Sequence, residues 1–174
     1  MKLVTTTLAL AALSFNALAS SELPSVVYLD GVAYPLVELD SKKTTNNSAE
    51  LDITQKEQQQ IKQKGFAEMA AAYNFSCRIT ISNNHYFTNL QPQTATIAHS
   101  FEQKCANKAA TASLTNLSNA SLDLYLFDYT GTTILAGPMR SITAYPANGN
   151  YHWIVFNKST GSRGDGYVKT SNRI

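Results

Sequence analysis

LDLYLFDYTGTTILAGPMRSITAYPANGNYHWIVFNKSTGSRGDGYVKT, residues 122–170, alternates short apolar runs with turn residues at a spacing that suits strands. Leu122, Leu124 and Leu126 fall on one side of a pleat, while Tyr125 and Phe127 fall on the other. Tyr151–Phe156 is likewise apolar or aromatic on both sides, which is the signature of a central strand or of an exposed binding face. Strands are expected at Ala112–Leu117, Leu122–Tyr129, Thr132–Leu135, Ser141–Tyr145, Tyr151–Phe156 and Tyr167–Thr170. Between them lie Tyr129-Thr130-Gly131, Gly137-Pro138, Pro146-Ala147-Asn148-Gly149 and the glycine-rich run Gly161 to Gly166, all turn chemistry. Short strands at such intervals predict a mainly β domain, an antiparallel β-sandwich or open barrel.

Upstream, Cys77–Ser82 alternates as a strand, Asn83-Asn84 reads as a turn, and His85–Leu90 returns from it. Residues 91–110 fit either a strand or a short helix. One N-terminal α-helix is expected after Thr54, because Thr54 and Glu57 have the spacing of a capping box and residues 55–73 are rich in helix formers. Before it, residues 41–50 are polar and without period, and read as a linker. Asp30-Gly31 between Val26–Leu29 and Val32–Leu39 is a hairpin signal, with Pro35 confining the second arm to an edge. The first nineteen residues have a basic start at Lys2, an apolar run and Ala17-Leu18-Ala19, the pattern of a cleaved export signal. The expected organisation is therefore a signal peptide at 1–19, an N-terminal hairpin and linker at 20–50, and the helix plus antiparallel sandwich at 51–174. The hairpin and the sandwich form a single domain.

Without residues 1–19, 155 residues remain, enough for one domain with a proper core. Lys2 leaves with the signal, so 13 basic residues face 12 acidic ones, and this balance carries no footprint for nucleic acid. The charge is unevenly placed. Residues 20–57 hold seven acids against three lysines, whereas residues 138–174 hold five cations against Asp165 alone. Cys77 and Cys105 are the two cysteines, and an even pair in an exported chain reads as a disulfide. Closing that 29-residue loop is worth about 3–4 kcal/mol.

Two features point to binding. Arg163-Gly164-Asp165 sits among turn residues, where a guanidinium and a carboxylate can be presented a few ångströms apart. The tripeptide resembles the adhesive loops that integrin-type receptors read, and the Arg-Gly-Asp of actinoporin-type pore-forming proteins, which are β-sandwiches with membrane-seeking aromatic surfaces. The second feature is the aromatic content of the C-terminal half. Phe127, Trp153 and Phe156 are expected in the core, and Tyr125, Tyr151 and Tyr167 on an exposed face where rings stack on sugars.

Catalytic motifs are lacking: no serine lies in a G-x-S-x-G elbow, and there is no phosphate loop or H-E-x-x-H. His85, His99 and His152 fall on different expected elements. His99 and Glu102 have helical metal-site spacing but no companion ligand, and Asp123 and Asp128 lie five apart on one strand. No cofactor is implied. The favoured reading is a secreted or periplasmic, non-enzymatic module that binds a glycan or protein through Arg163, Gly164, Asp165, Tyr125, Tyr151 and Tyr167. A membrane-active, pore-forming-like protein and a periplasmic inhibitor or immunity-type protein are the alternatives.

Overall fold

A computed structural model describes residues 23–38, the backbone of residues 44–51, and residues 77–173. The expected signal peptide at 1–19 and the helix expected over residues 54–73 lie outside the described residues. Those described form eleven strands and no helix. β7 (Leu122–Asp128) and β10 (Gly149–Asn157) lie side by side, antiparallel, at the centre of a four-stranded sheet. It is completed by β5 (Thr94–Gln103) beyond β10 and β8 (Ile134–Met139) beyond β7. A second, five-stranded sheet runs in the order β3 (Thr44–Leu51), β4 (Ile79–Leu90), β11 (Gly164–Arg173), β6 (Ala110–Asn116) and β9 (Ser141–Ala144). Every named strand pairing is antiparallel.

The two-sided apolar pattern of β7 and β10 has a direct cause: each side meets a different cluster. Leu122, Leu124, Leu126, Trp153 and Val155 join Phe87, Leu114 and Val168 of the five-stranded sheet in one shared core. Phe127, Ile154 and Phe156 point the other way. There they are covered by the hairpin of β1 (Val26–Leu29) and β2 (Val32–Pro35) through Val27, Leu29 and Tyr34. Beyond the hairpin the chain runs beside β5, where Val37 N–H donates to the Ala95 carbonyl at 2.8 Å. Phe127, Trp153 and Phe156 are buried, as their positions predict. Tyr125 and Tyr151 are buried too, at 7% and 8% exposure, and the expectation that they stand on an exposed face is corrected. Both sides of their strands are already covered.

The hairpin matches its sequence signal: Leu29 pairs with Val32, and Asp30 and Gly31 take φ of 52° and 80°, the left-handed pair a two-residue turn needs. Elsewhere local signals are overridden. Asn83-Asn84 makes no turn, because both residues are laddered on two sides, to Thr170 and Lys169 of β11 and to Asn46 and Thr45 of β3. Residues 44–51, all but Leu51 within the expected linker, are themselves that edge strand; pairing with β4 supplies what their composition lacks. Gly137-Pro138 lies inside β8 rather than between strands, tolerated because β8 is an edge. Cys77 and Cys105 form the expected disulfide, with Cα atoms 5.4 Å apart.

Candidate functional site

Alternation along the five-stranded sheet sends His85 and Phe87 of β4, Val168 and Thr170 of β11, and Ala112 and Leu114 of β6 inward. The opposite face therefore carries Tyr86, Tyr167, Lys169, Ser113 and Thr115. The register sets them in rows: Tyr86 opposite Tyr167 opposite Thr115, and next to it Asn84 opposite Lys169 opposite Ser113. The two tyrosine rings lie 5.2 Å apart, tilted 40° to one another, with Tyr86 38% exposed and Tyr167 partly so. They form a small aromatic step in a field of hydroxyls, with an exposed ammonium two residues further along β11. Of the three tyrosines singled out in the sequence, Tyr167 alone reaches such a face. Tyr86, which sequence reasoning missed, is brought to it by the ladder.

Arg163, Gly164 and Asp165 do not form a free loop. Gly164 and Asp165 open β11, and both charged ends of the tripeptide close on Asn89. The Arg163 guanidinium donates to Asn89 Oδ1 at 2.9 Å, and Asp165 Oδ1 accepts from the Asn89 backbone N–H at 2.7 Å. Asn89 has φ of 60°, an uncommon conformation whose amide is thereby satisfied. Leu117 N–H also donates to the Asp165 carbonyl at 2.8 Å, so the tripeptide fastens the start of β11 to the end of β4 and to the residue that follows β6. Its carboxylate is engaged within the fold.

The buried tyrosines act structurally. Tyr151 donates to the Ala147 carbonyl at 3.1 Å and packs on Phe101. Burial, helped by the negative charges of Asp123 and Asp30, pushes the Tyr125 hydroxyl up to about 12.

The histidines are more ordered than their sequence positions indicate. His85 and His99, on strands of different sheets, stack with ring centres 4.2 Å apart. His152 holds the Tyr129 carbonyl at 3.0 Å through Nε2 and Ser100 Oγ at 2.8 Å through Nδ1. If Nε2–H donates to the carbonyl, the neutral ring accepts the Ser100 proton, and burial lowers its pKa in that direction. The pair has the order of a base and a hydroxyl. Among the described residues, however, this is the one hydrogen bond of Ser100 Oγ, and it links directly paired neighbours of β5 and β10. His99 and Glu102, three apart on a strand, face opposite sides. Asp123 pairs with Lys158 at 2.8 Å, and Asp128 is bound by Thr130, Thr132 and Thr133. Among the described residues no group of three or more His, Cys, Asp or Glu is placed to hold a metal ion. No helix among them is long and apolar enough to cross a membrane.

Comparison with protein-family models and with curated proteins finds no match to this chain.

Proposed function

We propose that the chain is an exported antiparallel β-sandwich that binds a glycan, without catalysis, on the outer face of its five-stranded sheet. The observation that carries this reading is the Tyr86–Tyr167 step, two partly exposed rings 5.2 Å apart on neighbouring strands. Tyrosine offers a sugar both an apolar ring face and a hydroxyl, at little cost in rotamer freedom. The hydroxyl of Thr115 stands in the tyrosines' own row and that of Ser113, with the ammonium of Lys169, in the next, where sugar hydroxyls or an acidic substituent would find partners. A protein interface would call for a larger apolar centre than these two rings supply. The disulfide fits an oxidising compartment, in keeping with the export signal read at residues 1–19.

The test is a glycan array followed by calorimetry on the best ligand. Tyr86→Ala and Tyr167→Ala should each weaken binding by about tenfold while leaving the unfolding midpoint nearly unchanged. Absence of glycan binding by the wild-type protein would refute the reading. So would binding that survives the double substitution, or a protein ligand held through another surface.

A further inference from the structure

β4 and β5 are consecutive in the chain but belong to different sheets. Residues 91–93 join them at one end, and the Cys77–Cys105 disulfide ties their other ends. Between these covalent ties His85 of β4 meets His99 of β5 face to face, centres 4.2 Å apart and planes within 19°. The stack continues inward: His99 lies 6.1 Å from Phe101, and Phe101 lies 5.9 Å from Trp153, both nearly parallel. His85 is 7% exposed and its Nε2 is 3.0 Å from the buried Thr170 hydroxyl.

We propose that the His85–His99 stack is an acid-operated latch between the two sheets, closed while both rings are neutral and parted when they take up protons. This inference does not rest on the glycan reading. Among the described residues the groups facing the rings are Val168 and Thr170 from β11, Phe101 on β5 itself and Trp153 from β10. Among the described residues none of these groups is charged, and none is a carboxylate that would hold an imidazolium in place. A proton on His85 is therefore buried without a counter-charge among the described residues, and one on the partly exposed His99 sets like charges side by side. Burial lowers the affinity of both rings for protons. For His99, burial and then the neighbouring His85 bring the pKa to about 4.

The sign follows. Both folded pKa values lie below the unfolded value of 6.5, so the parted form binds more protons in the interval below it. The latch is fully closed above pH 6.5 and loses its hold as the pH falls towards about 4. Because both strand ends are covalently held, acid parts the middle of the seam and leaves the strands attached.

The chain's one tryptophan, Trp153, reports on the stack. The oxidised full-length protein is titrated from pH 7.5 to 3.5 by tryptophan emission and by far-ultraviolet circular dichroism. The expected result is a reversible emission change with its midpoint between 6.5 and about 4, while the β-sheet signal is retained. His99→Phe, which keeps a ring and removes the proton site, should abolish it. Emission that stays flat, a variant that titrates as wild type does, or a simultaneous loss of the sheet signal each overturns the proposal. Should His99→Phe fail to fold, nuclear magnetic resonance titration of the wild-type histidines decides. A His99 pKa below 6.5 accompanied by shifts of the β4 and β5 amide signals over the same pH interval upholds the latch, and a pKa at or above 6.5, or amide signals that do not move, overturns it.

Discussion

Gly166 governs how closely β11 can approach β4 and β6, and so where Tyr167 stands. A methyl group there would run into the Thr115 backbone carbonyl and would meet the Phe87 ring 3.0 Å away. Neither neighbour can retreat: one is ladder backbone and the other is fixed in the core. Gly166→Ala is therefore expected to cost about 1–3 kcal/mol in urea unfolding, the range for overpacking a close-packed site. Other single residues repay the same attention. Asp128 is opposed by its burial, yet hydrogen bonds from Thr133, Thr130 and Thr132 win and hold its carboxyl below the ordinary range. At this scale the sequence is a partial guide. Tyr167 could be named from the strand around it. Tyr86 could not, because its neighbours Asn83-Asn84 look locally like a turn, and the ladder that overrides them comes from residues far along the chain.

Among elements, the β1–β2 hairpin shows best what a local signal can and cannot reveal. Asp30-Gly31 announces the turn, since few other dipeptides take two left-handed residues without strain. What the hairpin covers is not written locally. Val27 and Leu29 seal Phe127, Ile154 and Phe156, and Tyr34 lies 4.5 Å from the Phe156 ring. Burying a valine and a leucine is worth roughly 1.5–3 kcal/mol each. The double substitution Val27→Asp with Leu29→Asp should lift the hairpin and bare an aromatic patch. Binding of a hydrophobic dye should rise well above the wild-type level, and the thermal midpoint should fall. Two other elements escape the sequence for opposite reasons. β3 is too polar to announce itself and exists by pairing with β4. β8 is disguised by Gly137-Pro138, which only an edge position accommodates.

For the whole molecule, the disulfide was legible from nothing more than an even pair of cysteines, but its role was not. With a sequence separation of 28 it joins strands from two sheets, and Cys77→Ser should lower the unfolding free energy by about 3–4 kcal/mol, measured in denaturant without reductant. Apolar and aromatic residues on both sides of β7 and β10 pointed to central strands or to an exposed binding face, and the choice between these, like the partition of the sides between two cores, needed the full chain. The backbone from Cys77 to Cys105, with its sulfur bridge, is also a closed ring that lends one strand to each sheet. A protease that nicks the partly exposed connection at Gln91-Pro92-Gln93 would therefore free nothing. The two fragments would migrate as one species until reductant is added, so damage at this surface stays invisible to the molecule's integrity for as long as its surroundings remain oxidising.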